Sequence, residues 1–338
     1  MERGHARRQR TEALIFAGRS DVHPVTPRLS LFVLRRAAAS ILLVLAVASA
    51  AHLLAGLAPG DHLSEFEMTP GQLQAERHRM GRDRPLHQRY ADWLQHAVRL
   101  DLGESARYPG RTVSSLIGER IGNSLRLGAL ALMLATGLGI PLGVLAGTDR
   151  RRPHLVAARA VNIVLLSLPP VVLSLALLFV AARTGWFPVG GLPPGGGAES
   201  LRFFVLPVLA LGLPVAASLE RLQSRSIARA LRHPSVLAAR ARGIPERRLV
   251  WGHAFKMSLT PVLAIYGVVI GTLISGSFVV EYVMTWPGLG RLMYDALIAR
   301  DANVVAGCAA TGAACLAGGV FISDVLLAAV DPRRGNLA

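Results

Sequence analysis

Residues 239–261 read ARARGIPERRLVWGHAFKMSLTP. They hold four arginines, the only lysine of the chain (Lys256) and a Gly243-Ile244-Pro245 turn between two helix-forming halves. Upstream of the turn, Pro234 through Arg242 can form one short helix, with Val236, Leu237, Ala238, Ala239 and Ala241 as its apolar residues. Gly243 suits the left-handed position that ends a helix. Pro245 suits the first turn of the next helix, where the dipole favours Glu246. The second half presents Leu249, Val250, Ala254 and Phe255, with Arg247 and Arg248 near its start. Two stubby helices at a sharp angle make a projecting knob with an apolar ridge and a basic rim. Such a knob can dock into a groove of another protein or lie on anionic lipid, and local physics leaves the two equal.

Long apolar runs flank the stretch. Of 338 residues 52% are hydrophobic and 17% charged, and the mean hydropathy of +0.42 is that of a membrane protein. The net charge is +16 and the isoelectric point about 11.4. Basic residues punctuate the apolar runs instead of forming one patch, so membrane topology accounts for them and no nucleic acid partner is expected. Six spans are expected: Leu31–Leu57, Ser124–Gly147, Leu155–Ala182, Phe203–Leu219, Ser258–Val280 and Val304–Val330. The first resembles a signal peptide, with Ala48-Ser49-Ala50 as a cleavage site, but its apolar run is longer than such a segment and reads as a retained anchor. Cys308 and Cys315 stand seven apart, about 10 Å along a helix, too far for a disulfide, and read as packing residues.

The connecting loops set the direction. Arg150, Arg151 and Arg152 crowd the loop after span two. Residues 220–257 carry Arg221, Arg225, Arg229, Arg232, Arg240, Arg242, Arg247, Arg248 and Lys256, and the tail carries Arg333 and Arg334. Residues 184–200 have only Arg183 beside them, and residues 281–303 mix Arg291 and Arg300 with Glu281, Asp295 and Asp301. Positive loops face the cytoplasm, so both termini lie inside. The domain plan is then a disordered basic tail (1–27), a first span (28–57), an extracytoplasmic segment (58–122) and a core (123–335) with a cytoplasmic loop at 232–257. In the outer segment a short helix opens at Thr69-Pro70, and Tyr90, Trp93, Leu94 and Ala97 mark an amphipathic helix. His78, His87 and His96 lack metal-ligand spacing and read as solvated or packing residues.

No nucleotide site is visible. A phosphate-cradling loop needs GxxxxGK[ST], and Lys256 lies in HAFKMS without glycines. Polar groups at membrane depth point to a pathway. Asn162, Ser167 and Ser174 in span three, Thr272, Ser275 and Ser277 in span five, and Ser323 and Asp324 in span six qualify. Asp324, near the cytoplasmic end, is expected to pair with an inner-loop arginine. Trp286-Pro287-Gly288-Leu289-Gly290-Arg291 follows span five outside. It reads as a re-entrant or turning loop with Trp286 at the membrane interface. Gly139, Gly143 and Gly147 form a small-residue stripe, as do Gly267 and Gly271, for packing within the chain or against a second subunit.

The 238–261 stretch resembles the coupling loop of binding-protein-dependent ABC importer permeases, in the dipeptide/oligopeptide/nickel branch. Ala238, Ala239, Arg240, Ala241, Gly243, Glu246, Arg247, Arg248, His253, Ala254 and Pro261 match its pattern, while Leu237, Pro245 and Lys256-Met257 depart from it. LAPGD (57–61), RYADWLQHAVRLDLGES (89–105), GIPLGVLAG (139–147), LSLPPVVLSLAL, TWPGLGRLMYDALIARD (285–301) and DPRRG (331–335) extend the resemblance over nearly the whole chain. The long outer segment is similar to that of the oligopeptide-permease B type of subunit.

The resemblance implies an all-α, type I importer permease fold in the cell membrane. It implies a non-catalytic chain that pairs with a second permease, two ATP-binding subunits using ATP and Mg, and an extracytoplasmic substrate-binding protein. Ala238, Ala239, Gly243, Glu246, Arg247 and Arg248 would couple to the ATPase. Asn162, Ser167, Ser275, Ser277, Trp286 and Pro287 are the pathway or gate candidates. No metal site or resident cofactor is implied. Short peptides are the expected cargo, with nickel or a metal chelate as the alternative within the family. An ATP-independent secondary transporter would call for mid-membrane charges and repeated halves, and the chain shows neither. A membrane protease would need HExxH or a serine–histidine pair inside the spans, which is also lacking.

Overall fold

The computed structural model describes residues 26–57, 71, 84–99, 101–149, 153–191 and 200–330. The tail at 1–25, the Thr69-Pro70 helix, Arg150–Arg152 and the 331–335 motif lie outside the described residues. The elements are α1 (Thr26–Leu57), α2 (Leu86–Val98), α3 (Val113–Thr148), α4 (Pro153–Ser167), α5 (Pro170–Thr184), α6 (Ser200–Ala230) and α7 (Pro234–Ala241). Next come α8 (Glu246–Arg248), a π-helical turn (Leu249–Ala254), α9 (Phe255–Leu263), α10 (Tyr266–Val283), α11 (Leu289–Ile298) and α12 (Ala302–Val330). Among the described residues there is no strand, only an isolated antiparallel bridge between Glu104 and Thr112.

Among the described residues five helices are long and apolar enough to cross a membrane: residues 34–57, 113–148, 201–230, 266–283 and 302–325. A sixth crossing requires α4 and α5 together, and these are bent by 112°. The continuous third span expected at Leu155–Ala182 is therefore broken. Pro169-Pro170 breaks it, because each proline removes a donor and drives the preceding residue out of the helical region. Pro169 sits at φ −60°, ψ 145°, and α5 restarts with Pro170 in its first turn. Isolated Pro141, Pro207 and Pro214 stay inside α3 and α6. The expected fifth span is divided as well, since α9 ends at Leu263 and α10 begins at Tyr266.

Helices α3 and α6 form the central pair. At 36 and 31 residues they run about 54 and 46 Å, longer than a hydrocarbon core of about 30 Å. The excess lets α3 project outward at its start and α6 inward at its end. The glycine stripe on α3 sets their separation. A Cβ on Gly139 would meet Ala216 O at 2.6 Å, one on Gly143 would meet Gln223 Cβ at 2.6 Å, and one on Gly147 would meet Ile227 Cγ2 at 2.3 Å. This stripe packs inside the chain. Gly271 and Gly267 likewise approach Leu316 and Val320 of α12.

Around the pair, Leu127, Ala131, Leu211, Val215, Leu273 and Trp286 belong to the main core. Outside, Val113, Ile117, Leu292, Val305 and Cys308 form a second cluster. Helix α2 lies on the outer end of α1 by the expected face. Trp93 stacks on His52 at 4.6 Å, and Tyr90 Oη donates to Ser49 Oγ at 2.9 Å. His87 and His96 are exposed on α2. Asp301 caps α12, accepting from Val304 N at 3.2 Å, and its other oxygen accepts from Ser105 Oγ at 2.6 Å and Arg107 N at 3.1 Å.

Replacing Gly143 by Val forces α3 and α6 apart. We expect a loss of about 1–3 kcal/mol, the usual cost of overpacking, read as a lower midpoint of thermal unfolding in detergent. An unchanged midpoint would remove the seam from its central position.

Candidate functional site

The cytoplasmic knob is built as the sequence implies, with one face reversed. Helix α7 ends in a Schellman motif: Gly243 N donates to Arg240 O at 2.9 Å and Ile244 N to Ala239 O at 3.4 Å. Gly243 has φ +79°, a conformation suited to a residue without Cβ. Pro245 then opens α8, with Arg248 N donating to its carbonyl at 2.9 Å. Glu246 reaches back across the turn, accepting from Arg240 Nε at 3.1 Å and pairing with its terminal guanidinium nitrogen.

The apolar ridge faces the chain itself. Val236, Ala239, Leu249, Val250 and Ala254 are buried with Val144 of α3 and Ile227 and Ala230 of α6. Ala239 therefore anchors the knob and offers no outward contact. The face left open carries Ala238, Gly243, Glu246, Arg247 and Arg248, together with half-exposed Leu237 and Trp251. The helical run after Gly243 continues through the π turn into α9. There the buried Gln223 of α6 donates to Ser258 Oγ at 2.8 Å, and Ser258 Oγ donates to Phe255 O at 2.8 Å. These bonds tie the start of α9 to α6.

A cavity of about 740 Å³ lies between α5, α6, α10 and α12, with Ala264 of the link between α9 and α10 at its wall. Pro170, Pro214, Gly267, Gly271 and Gly276 supply bare backbone to its wall, and Thr272, Ser275, Ser323 and Asp324 supply polar atoms. Of the six pathway or gate candidates only Ser275 lines it, beside Thr272, Ser323 and Asp324 from the wider set of membrane-depth polar groups. Asn162 donates to Glu220 Oε2 at 2.8 Å on the cytoplasmic side. Ser167 and Ser277 donate to the carbonyls of Ile163 and Ile274, both at 2.9 Å. Such hydroxyls are spent on their own helices. Asp324 pairs with Arg36 of α1 at 2.7 Å. Among the described residues its partner is this α1 arginine in place of the expected inner-loop one.

The outer loop also departs from expectation. Trp286 is fully buried, set edge-on against Phe204 with ring centres 4.5 Å apart. It is a core residue and not an interfacial anchor. Pro287 O accepts from Asn123 Nδ2 at 2.9 Å. The loop is held by a residue that charge counting placed outside. Glu281, fully buried, accepts from Ser124 Oγ at 2.7 Å, Gly290 N at 2.6 Å and Arg291 N at 3.4 Å. Its carboxylate sits at the start of α11, where free N–H groups and the dipole favour an anion. A Cβ on Gly288 would lie 2.4 Å from Glu281 Oε2, and one on Gly290 2.9 Å from it, so both glycines make room for the acid.

Residues 139–336 match the family described as the binding-protein-dependent transport system inner membrane component. The chain belongs to that family. An oligopeptide transport system permease protein, AppB, of Bacillus subtilis is 32% identical over 314 residues, covering 89% of this chain and 98% of its own. OppB, the corresponding permease protein of Salmonella typhimurium, is 31% identical over 306 residues with the same coverage. A dipeptide transport system permease protein, DppB, of Lactococcus lactis is 28% identical over 305 residues. Among solved structures, a chain of the MetNI methionine ABC transporter in an inward-facing conformation aligns with TM-score 0.53 and 19% identity. It covers 64% of this chain and 97% of that one, a likeness of fold.

This permease is thus a multi-pass protein of the inner membrane. Its α1, α2 and the first part of α3 precede the matched family region. Sequence reading missed Glu281 because the residue follows the apolar run directly and looks like the first residue of a loop. The available signal was the spacing of Glu281 from Gly288 and Gly290, two bare backbone positions ahead of a helix. Replacing Glu281 by Ala strips acceptors from Ser124 and Gly290. We expect it to cost about 1–3 kcal/mol and to speed amide exchange at Gly290 and Arg291. Exchange at the wild-type rate would show that the carboxylate does not hold the loop.

Proposed function

We propose that the permease is one of two membrane subunits of an ATP-driven importer that admits short peptides handed over by a substrate-binding protein. The observation that carries the cargo class is the near full-length alignment with oligopeptide and dipeptide permeases. ATP and Mg belong to the partner ATPases, because this chain contains no GxxxxGK[ST] loop. The cavity is the chain's share of the passage. Val268, 71% exposed, and exposed Thr272 and Ser275 open it on the side where a second permease would close it.

The knob's open face supports the coupling role. Its buried ridge fixes it to α3 and α6, so force on Ala238, Gly243, Glu246, Arg247 and Arg248 passes into the spans without loss to local bending. Closure of two ATPases on ATP would drag this face and rock α9 and, through it, α10, which borders the cavity. The break at Ala264-Ile265 and the bend at Pro169-Pro170 provide places for such motion. Outside, the Glu281-held loop and Trp286 keep α10 and α11 together beside the mouth, where cargo would enter.

The chain should co-purify from mild detergent with a second permease and an ATPase. In proteoliposomes containing that complex and its binding protein, Gly243→Val and Glu246→Lys should leave ATP hydrolysis running. Peptide uptake should fall about tenfold, within the range of ordinary coupling free energies. Wild-type uptake in both variants would overturn the coupling role, and lack of any peptide uptake by the assembled wild type would overturn the cargo class.

A further inference from the structure

Among the described residues Asp324 is the one ionisable side chain lining the cavity. It stands six residues before α12 ends, about 9 Å from that end, and thus toward the inner mouth of the passage. The groups around it, Ser323, Leu316, Val320 and Gly267, are uncharged. Its partner, Arg36, comes from α1, the helix that precedes the family-matched region and packs along α12. Both side chains keep partial exposure, 36% for Arg36 and 31% for Asp324. A carboxylate at this depth is tolerated only when paired. Pairing has a second consequence. A lone Asp324 would hold cationic cargo and repel anionic cargo, and a lone Arg36 would do the reverse. Bound together at 2.7 Å, they leave only a dipole, whose field falls off far faster than that of either charge alone.

We propose that the Arg36–Asp324 pair sets the charge tolerance of the passage, keeping its inner end neutral so that peptides of either sign go through. The proposal rests on the reading of the cavity as a peptide passage. It assigns Arg36 a specificity role, that of supplying the countercharge to Asp324 from α1.

The test uses the whole complex in proteoliposomes. Uptake is measured for trialanine and for tripeptides in which the central alanine is lysine or glutamate. The binding protein is the same in every preparation, so its own preference cancels when variants are compared with wild type. Asp324→Asn should lower the lysine-to-glutamate uptake ratio about fivefold and Arg36→Gln should raise it about fivefold, as expected for one uncancelled charge near the passage. The double variant should return to the wild-type ratio. A merely structural tie would slow all three peptides alike and leave the ratio in place, which would overturn the proposal, as would shifts in the same direction. If a single variant fails to assemble, the exchanged pair Arg36→Asp with Asp324→Arg keeps the cancellation and should hold the wild-type ratio, and a changed ratio there overturns it. If the wild-type complex takes up none of the three peptides, the cargo reading itself has failed.

Discussion

Everything in this structure hangs on the distance between α3 and α6. Between helices in lipid the hydrophobic effect supplies no net attraction, so close packing has to do the work. Gly139, Gly143 and Gly147 remove every side chain that would hold α3 away from Ala216, Gln223 and Ile227. Once the backbones are that close, the last turns of both helices leave a small apolar shelf at Val144, Ile227 and Ala230, and the knob is seated on that shelf. The other flank of α6, at Ala210, Leu211, Pro214 and Val215, becomes a wall of the cavity. One helix therefore carries both the seat of the cytoplasmic knob and part of the cavity wall. It does so without an intervening joint, since Pro207 and Pro214 leave it unbroken.

The helical class, the antiparallel span order and the Gly243 turn were legible in the sequence because they rest on local chemistry: apolar length, arginine placement and left-handed backbone. The amphipathic face of α2 was legible for the same reason, and Tyr90, Trp93, Leu94 and Ala97 do meet α1 and α12. What escaped is what depends on a third dimension. The knob's apolar residues look the same whether they face a partner or the chain's own shelf, and only the packing of Val236 and Ala239 against Ile227 decides. Hydropathy averages over a window and cannot see that two adjacent prolines bend a span by 112° whereas one alone does not. A tryptophan beside a turn has the composition of an interfacial anchor. Burial against Phe204 overrides that local cue.

The acids show how the same constraint gives different solutions. Glu281 is satisfied by Ser124 and the amides opening α11, Asp301 by the amide of Val304 and by Ser105 and Arg107, and Glu220 by Asn162. Each of these three is met by hydrogen-bond donors that carry no charge. They fix loops and helix starts, which is what an anion among backbone N–H groups does well. Asp324 alone faces the cavity, and it is met by a full opposite charge instead. Uncharged donors stabilise an anion but leave its net charge in place, whereas an arginine reduces the pair to a dipole whose field fades quickly with distance. For a carboxylate inside the packing that difference is immaterial, but at the wall of a cavity, and along the proposed passage, it decides what the wall attracts.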